Sequence, residues 1–318
     1  MFEYILLLAG IFLLVRGADY LIDGSTYLGK RLGVKPLVLG LTVLAFGTSL
    51  PELAINIFSA IEGTTDINLG NIIGSNIANI LLILGVSSLL ITVKVKFNVV
   101  RKIIPFTLFS TILLFLVLND SFFNGTNILT LVDGIALLLF FLVFLHFSIS
   151  EGKKDKKGVP KEIVIHKHRS YVTALMILGG IFGLFVGGKL IIESVTTIAA
   201  SLHLSEFFVS ATILSIGSSL PELIVSIRAA LKKKLDFVVG NIVGSNVFNV
   251  LFVLGISSVI RPIPFNLAYN FDMIFLIAIT SMLLIFMYTG KKYQLERWNS
   301  LLFLSLYAFY IIYIFTRG

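Results

Sequence analysis

Long apolar runs alternate along the chain with short breaks that are rich in charged residues, glycine, asparagine or proline. Most of the runs are long enough to cross the hydrocarbon core of a bilayer as a helix, although the fourth is short by this count. The pattern predicts ten spans, at residues 2–23, 37–61, 68–91, 103–118, 127–149, 171–199, 207–230, 236–260, 269–289 and 298–316. The predicted fold class is therefore an all-α polytopic membrane protein.

Composition supports this class and narrows the chemistry. Of the 318 residues, 57% are hydrophobic and only 13% are charged, a balance that excludes an ordinary soluble domain. The chain has no cysteine, so disulfides and thiolate metal sites are excluded. The first apolar run lacks a basic start and an evident cleavage site, so we expect it to remain as a helix.

Positive charge is divided unequally between the loops. Twenty lysines and arginines fall in alternate loops, whereas the other loops and the C-terminus offer only Arg261 and Arg317. Under the positive-inside rule the basic loops are cytoplasmic. We therefore expect a multi-pass protein of the cell membrane with both termini outside.

The two halves of the chain repeat each other. Residues 42–88 align without a gap with residues 212–258, and 23 of the 47 positions are identical. Each half contains five predicted spans, an odd number, so the second half enters the membrane from the opposite side. Such inverted repeats place a substrate site near the midplane, between corresponding broken helices. The predicted organisation is a first repeat at 1–149 with its motif at 40–80, a cytoplasmic linker at 150–170, and a second repeat at 171–318 with its motif at 210–250.

A polar segment interrupts the second span, and its copy interrupts the seventh. The sequence GTSLPE at 47–52 returns as GSSLPE at 217–222. Pro51 lacks an amide hydrogen and frees backbone oxygens, and a bound cation can satisfy such oxygens. Ser49 and Glu52 are three residues apart and share a helix face, which brings a hydroxyl and a carboxylate to the same cavity.

The following span carries a second set of oxygen-bearing side chains. GNIIGSNIAN at 70–79 returns as GNIVGSNVFN at 240–249. The glycines favour close helix packing rather than ligation. For the remaining asparagines, hydrogen bonding between helices and cation ligation both stay open. Pairs that share a helix face are Ser75 with Asn79 and Ser245 with Asn249.

Glu52 and Glu222 are the strongest candidate ligands. A charged side chain at the bilayer centre costs on the order of 3 kcal/mol. The structural alternative is a buried ion pair, but no lysine or arginine is predicted at comparable depth, which favours a mobile cation as the partner. Oxygen ligands suit Ca²⁺ or Na⁺ and do not suit zinc or copper. We interpret the other charged residues of the spans as structural, namely Asp19, Asp23, Lys189 and Glu193.

These duplicated motifs resemble the repeats of the sodium/calcium exchanger family within the cation/calcium antiporter superfamily. The resemblance covers most of the chain, and it implies a prokaryotic type of exchanger without the large cytoplasmic regulatory domain. It implies an antiporter that exports Ca²⁺ at the expense of Na⁺ entry. It also implies that the ions are held among the second, third, seventh and eighth helices.

The resemblance assigns a role to each matching residue. Glu52 and Glu222 would be central ligands shared by Ca²⁺ and Na⁺, and the backbone oxygens of Thr48 and Ser218 would join the Ca²⁺ site. Some relatives carry Asp at the position of Asn249, so this cavity is expected to keep two negative charges. The flanking Na⁺ sites would use the hydroxyls of Ser49, Ser75, Ser219 and Ser245 and the backbone oxygens of Ala45 and Ser215, with Asn79 and Asn249 bordering the cavity.

Energetics predicts the stoichiometry. Against an assumed ten-thousandfold gradient at 100 mV, Ca²⁺ extrusion costs about 10 kcal/mol, and each Na⁺ entering down an assumed tenfold gradient supplies about 3.7 kcal/mol. Two Na⁺ fall short and three suffice, so we expect electrogenic exchange near three Na⁺ per Ca²⁺.

Other functions remain open at this stage. An H⁺/Ca²⁺ or K⁺-dependent Na⁺/Ca²⁺ antiporter would use the same scaffold. A channel would be expected to repeat a filter loop of the GxG type, and the sequence contains no such repeat. A receptor or structural membrane protein would not need duplicated buried carboxylates. Residues 183–189 fit part of a phosphate-binding loop, but Leu190 stands where Ser or Thr is required. We expect no enzyme activity, no cofactor, no nucleotide and no nucleic acid; the partners are the two ions and the lipid bilayer, and a monomer is the simplest assembly.

Overall fold

The computed structural model describes residues 2–63, 66–120, 127–153, 170–201, 217–289, 291 and 293–317, and these are almost entirely helical. In chain order, the helices are α1 Phe2–Leu32, α2 Pro36–Thr48, α3 Leu50–Glu62, α4 Asp66–Ala78, α5 Leu84–Leu90, α6 Ile104–Leu118, α7 Leu131–Lys153, α8 Ser170–Ser201, α9 Leu220–Leu231, α10 Leu235–Val247, α11 Leu254–Ile260, α12 Asn270–Tyr288 and α13 Arg297–Arg317. The short strands are β1 Val93–Lys94, β2 Ile128–Leu129, β3 Ile263–Pro264 and β4 Gln294–Leu295. One 3₁₀ turn, Leu267–Tyr269, precedes α12. Turns of π-helix are Gly40–Leu44 within α2, Asn79–Ile83 between α4 and α5, Val99–Ile103 before α6, and Phe248–Val253 between α10 and α11.

The helices are those of a multi-pass membrane protein. Within the described ranges, eight helical spans are long and apolar enough to cross a bilayer. Helices α2 and α3 pass the same test together as a pair bent by 48°, which is either a broken span or a re-entrant loop. The predicted seventh span, 207–230, is described only from residue 217, where it includes α9.

Two predicted boundaries were wrong. Helix α1 continues past residue 23 to Leu32, because the first residue in the left-handed region is Gly33, with φ +65°. Helix α7 begins at Leu131 rather than 127. Its start is capped by Asp133, whose carboxylate accepts hydrogen bonds from the backbone amide and the hydroxyl of Thr130 at 2.8 and 2.6 Å.

The segments that carry the duplicated motifs lie at the centre of the protein. In the apolar stretch of Leu235–Ile260, 94% of the residues are buried, and in that of Asn68–Leu90 the share is 78%. In the six other unbroken spans the buried share is 28–44%, so they present much of their surface to lipid. The core therefore contains these two segments, and because they are the most buried, their polar residues carry the highest desolvation cost.

Helices α1 and α8 pack closely along their length, and we call them the α1–α8 pair. A methyl group added to Gly17 would lie 2.8 Å from the carbonyl oxygen of Gly180, and one added to Gly187 would lie 2.8 Å from the carbonyl oxygen of Gly10. Only glycine permits such an approach of two backbones.

The four strands form two small antiparallel pairs that join the halves of the chain. Strand β1 pairs with β4, so that Val93 lies opposite Leu295. Strand β2 pairs with β3, so that Leu129 lies opposite Ile263. Each pair therefore contains one strand from each half.

Candidate ion-binding site

The site is built around two helix breaks. Helix α2 ends at Thr48 and α3 begins at Leu50, while the intervening Ser49 leaves the helical region with φ −84° and ψ 13°. Its counterpart Ser219 has nearly the same conformation, φ −89° and ψ 7°. Because Pro51 has no amide hydrogen, the carbonyl oxygen of Gly47 lacks the donor that a continuous helix would supply. The breaks thus concentrate unpaired backbone acceptors in the protein interior.

The two carboxylates lie in the first turns of α3 and α9, and both are fully buried. The hydroxyl of Ser49 donates to Oε1 of Glu222 at 2.8 Å, across the two halves of the chain. The hydroxyl of Ser75 donates to Oε1 of Glu52 at 3.4 Å. In each carboxylate the other oxygen, Oε2, has no hydrogen-bond partner among the described residues. Neither carboxylate is paired with a lysine or arginine in the described ranges, so their charge is left for another partner.

Two asparagines on the central helices add a second pair of unbonded oxygens. Asn79 and Asn249 both lie in turns of π-helix, which re-aim side chains near functional sites. The amide of Asn79 donates to Oδ1 of Asn246 at 2.9 Å, and the amide of Asn249 donates to Oδ1 of Asn76 at 3.1 Å. Within the described part of the chain, the Oδ1 atoms of Asn79 and Asn249 are buried without a partner. The side-chain nitrogen of each asparagine therefore donates its hydrogen bond away from the site, and the Oδ1 atom stays free as an acceptor.

The asparagines left open by the sequence act as links between helices. Asn76 donates to the backbone oxygen of Asn246 at 3.2 Å, and Asn246 donates back to the backbone oxygen of Asn76 at 3.3 Å. On the neighbouring turns, Ser218 donates to Asn71 at 3.3 Å and Thr48 donates to Asn241 at 3.1 Å. These bonds fix the relative positions of the ligand-bearing segments.

The structure brings the remaining candidates to the same region, with one exception. The hydroxyls of Ser75 and Ser218 are 3.4 Å apart, and those of Thr48 and Ser245 are 3.5 Å apart. The hydroxyl of Ser219 is buried without a partner among the described residues. The backbone oxygen of Ala45 already accepts from the Ser49 amide at 3.0 Å and from the Thr48 hydroxyl at 3.3 Å, so it would have to exchange hydrogen bonds for an ion. Ser215 lies outside the described residues.

The donor set defines what the site can bind. It consists of carboxylate, amide and hydroxyl oxygens, which are hard ligands for Ca²⁺ and Na⁺. Among the described residues, no three or more His, Cys, Asp or Glu side chains are grouped so that they could hold a metal ion together. Two carboxylates set among neutral oxygens can neutralise one divalent or two monovalent cations, and they carry no excess charge that would prevent release.

A cleft leads toward this site from the end of the protein opposite the lysine-rich turn after α9. It has a volume of about 510 Å³ and separates α3 from α8. Pro51 and Pro221, one residue before each carboxylate, are among its lining residues, as is Glu62 at the end of α3. The cleft therefore approaches both carboxylate-bearing segments from one end of the protein.

An ion-pair cluster lies at the opposite end, and sequence reasoning did not connect its members. Arg228 of α9 contacts Asp19 of α1 at 2.6 Å, and Lys232 lies 2.9 Å from both Asp19 and Asp23. Lys234 lies 3.1 Å from Asp23, and burial lowers the pKa of its ammonium group while Asp23 opposes that shift. We call these five residues the α1–α9 ion-pair cluster. The sequence contains one signal for this cluster: Asp19 and Asp23 are four residues apart, as are Arg228 and Lys232, so each pair shares a helix face.

Comparisons with known proteins agree with this geometry. The family described as "Sodium/calcium exchanger protein" matches residues 2–150 and 172–316. The putative antiporter CaxA of Alkalimonas amylolytica is 30% identical, and the sodium/calcium exchanger MaX1 of Methanosarcina acetivorans is 29% identical, each over 98% of both chains. A solved structure of the sodium-calcium exchanger NCX_Mj, soaked with 2.5 mM Na⁺ and 0.1 mM Ca²⁺, superposes with a TM-score of 0.81 at 28% identity and covers 98% of both chains. Because the family match extends over nearly the whole sequence, this chain belongs to the sodium/calcium exchanger protein family.

Proposed function

We propose that the protein is a secondary active antiporter that exchanges Na⁺ for Ca²⁺ across the membrane. The observation that carries this proposal is the pair of fully buried carboxylates, Glu52 and Glu222, each with one oxygen that no described residue satisfies. Uncompensated buried charge is strongly unfavourable, so a site of this kind requires a cation to occupy it. The names of MaX1 and NCX_Mj, both described as sodium/calcium exchangers, point to the same ions.

The proposed ligand roles are those that the resemblance to the exchanger family implies. Glu52 and Glu222 hold Ca²⁺ or share Na⁺, with the backbone oxygens of Thr48 and Ser218 completing the Ca²⁺ site. The free Oδ1 atoms of Asn79 and Asn249 border the same space. The proposed Na⁺ ligands are the hydroxyls of Ser49, Ser75, Ser219 and Ser245 and the backbone oxygens of Ala45 and Ser215.

Charge balance supports exchange and sets the expected stoichiometry. Two carboxylates are neutralised by one Ca²⁺ or by two Na⁺, so the two ions compete for the same charge. Ca²⁺ extrusion at about 10 kcal/mol exceeds what two Na⁺ supply at about 3.7 kcal/mol each. We therefore expect about three Na⁺ per Ca²⁺, with the third Na⁺ held by neutral oxygens, and a net positive charge moved inward in each cycle.

We further propose ten helices in two inverted repeats, 1–149 and 171–318, joined by a linker at 150–170. The strand pairs support the inversion. Strands β1 and β2 precede and follow the span Val99–Leu118, whereas β3 and β4 precede and follow its equivalent, Leu267–Tyr288. Since β1 pairs with β4 and β2 with β3, one span starts at the end of the protein where its equivalent finishes. With the lysine-rich turns in the cytoplasm, the termini face outside and the cleft opens outward.

The α1–α8 pair is the proposed moving part. Its glycine contacts hold α1 and α8 together closely enough to move as one body, and α8 lines the side of the cleft opposite α3. Sliding of this pair against the ligand-bearing helices would open the site to one side and then to the other.

The decisive experiment is Ca²⁺ uptake into Na⁺-loaded proteoliposomes that are diluted into Na⁺-free buffer. Uptake that needs internal Na⁺ and disappears in Glu52→Gln and Glu222→Gln is the expected result. Glu296→Gln, which removes a carboxylate remote from the site, serves as the matched control and retains uptake. Reversal potentials that follow a two-to-one ratio would refute the proposed stoichiometry.

The alternative coupling ions are distinguished in the same vesicles. Uptake driven by a pH gradient would assign the protein to proton-coupled Ca²⁺ transport, and a requirement for K⁺ would assign it to K⁺-dependent exchange. Absence of uptake under every gradient would mean that the transported cation is not Ca²⁺.

A further inference from the structure

The pseudo-symmetry of the repeats extends to the charged residues at the two ends of the α1–α8 pair. The displacement of 170 positions that aligns the motifs also aligns Asp19 with Lys189 and Asp23 with Glu193 in the sequence. In the same way it aligns Glu62 with Lys232 and Phe58 with Arg228. The contacts of the pair obey the same displacement. Gly10 approaches Gly187 and Ile191, as Gly180 approaches Gly17 and Leu21.

At the lysine-rich end these positions are in contact. The α1–α9 ion-pair cluster joins α1 to α9 through Arg228 and Lys232, with distances of 2.6–2.9 Å to Asp19 and Asp23. The side chains of Asp19, Arg228 and Lys232 are 19–32% exposed, so these pairs are better shielded from water than ordinary surface pairs. This end of the interface is closed.

At the opposite end the equivalent positions are apart. Glu62 of α3 and Lys189 and Glu193 of α8 line the 510 Å³ cleft, and we call them the cleft charge group. Lys189 lies 3.7 Å from Glu193 on its own helix, and both side chains are more than half exposed. Glu62 is exposed and makes no ion pair with any residue in the described ranges. A positive and a negative charge thus face the same gap from opposite walls.

The two ends carry opposite charge arrangements that suit the same contact. At the closed end an acid of α1 meets Lys232, which bonds two carboxylates one helix turn apart. At the open end the basic residue is Lys189 on α8, and its equivalent partner across the gap is the acid Glu62. Closing the cleft to the geometry of the closed end would therefore bring Lys189 against Glu62, while Glu193, the equivalent of Asp23, would approach Glu62 as a like charge and weaken the contact.

On the basis of the proposed function, we infer that Lys189 and Glu62 are positioning residues that pair when the outer cleft closes, in exchange for the contacts of the α1–α9 ion-pair cluster. Each half-cycle then breaks ion pairs at one end of the α1–α8 pair and forms one at the other. More ion pairs are broken than are formed when the cleft closes, because the α1–α9 ion-pair cluster has several pairs whereas the cleft charge group can form one across the gap. The conformation with the open cleft is therefore the more stable one.

The test uses the absence of cysteine from the chain. Ala54 lines the cleft, so the Ala54→Cys thiol can be labelled from outside by a membrane-impermeant reagent, and its labelling rate reports the open fraction. The double reversal Lys189→Glu with Glu62→Lys places a lysine opposite two carboxylates, which copies the closed end. It should slow labelling about threefold or more. The single Lys189→Glu leaves three carboxylates around the gap and should label at least as fast as the parent.

A second variant acts from the other end. Asp19→Asn weakens the α1–α9 ion-pair cluster and should also slow labelling at Ala54→Cys, although it lies far from the cleft. The matched control reverses Lys291 and Glu296, which lie 3.8 Å apart and away from the cleft, and should leave the rate unchanged. The inference is overturned if the double reversal or Asp19→Asn is labelled at the parent rate. It is also overturned if reversing Lys291 and Glu296 changes the labelling rate as much as these variants do. Labelling does not depend on which ions are transported, so failure of the uptake assay alone would refute only the proposed function.

Discussion

Two adjacent glycines of α8 offer a stringent test of how the α1–α8 pair is packed. Gly180 faces α1, whereas Gly179 is exposed. A methyl group on Gly180 would lie 2.7 Å from the amide nitrogen of Leu21 and 2.9 Å from the carbonyl oxygen of Gly17. A methyl group on Gly179 would meet no atom of the described residues within 4 Å. The substitutions Gly180→Ala and Gly179→Ala therefore make the same chemical change in the same helix with different neighbours.

The expected cost follows from those distances. The nearest atoms to a methyl group on Gly180 are backbone, so no side chain can rotate away. The helices must separate by about 0.7 Å to restore ordinary contact, which begins at 3.4 Å. Overpacking of this kind costs about 1–3 kcal/mol. Both variants gain about 1 kcal/mol of helix propensity, so that gain cancels in the comparison.

The assay is thermal unfolding of the purified protein in detergent, followed by exchange activity in vesicles. For a chain of this length, a difference of about 1–3 kcal/mol corresponds to an apparent Tm about 2–5 °C lower for Gly180→Ala than for Gly179→Ala. Exchange should fall in Gly180→Ala, because separating α1 from α8 alters the surface that the pair presents to the ligand-bearing helices. Equal Tm and equal activity in the two variants would refute the close packing of α1 against α8.

Three further substitutions test other parts of the structure. Glu222→Gln removes one of the two charges of the site and should weaken Ca²⁺ binding, measured by calorimetry, by at least about tenfold; unchanged affinity would remove Glu222 from the ligand set. Asp272→Asn deprives Arg317 of a partner at 2.6 Å and should lower stability by about 1–3 kcal/mol in thermal unfolding, whereas an unchanged Tm would show that the pair contributes nothing. Gly63→Ala places a side chain at φ +89° against a neighbouring guanidinium, so it should lose more stability than Gly33→Ala at φ +65°, where the surrounding space is open; equal losses would contradict the described contact.

Much of the fold could be predicted from the apolar pattern, but the ends of the helices could not. The pattern marks where a segment crosses lipid, whereas α1 continues in polar sequence to Leu32. The helix runs through Gly24 and Gly29 and ends only before Gly33, and contacts of Asp23 with Lys232 and Lys234 help to hold this extension in place. Those partners are more than 200 positions away, beyond the reach of any local pattern.

Symmetry and energetic cost together predict the centre of the candidate site. Each repeat carries a glutamate in its broken helix, and the structure buries both Glu52 and Glu222. Helix spacing could not distinguish ligands from links, because both functions require the same helix face. Asn79 and Asn76 are three residues apart and both donate to Asn246 of the opposite repeat, yet of the two only Asn79 keeps a free buried oxygen.

The pairing of strands between the halves also constrains how the protein is made. Strand β1 is synthesised at residues 93–94, but its partner β4 follows only at 294–295. At 5–20 residues per second, β1 waits roughly 10–40 s on the ribosome for its partner. During that interval the first half carries the buried polar side chains of its central helices without the second half that covers them, and lipid cannot satisfy them. Biogenesis therefore requires that the nascent first half be kept beside water or the insertion machinery until the second half arrives.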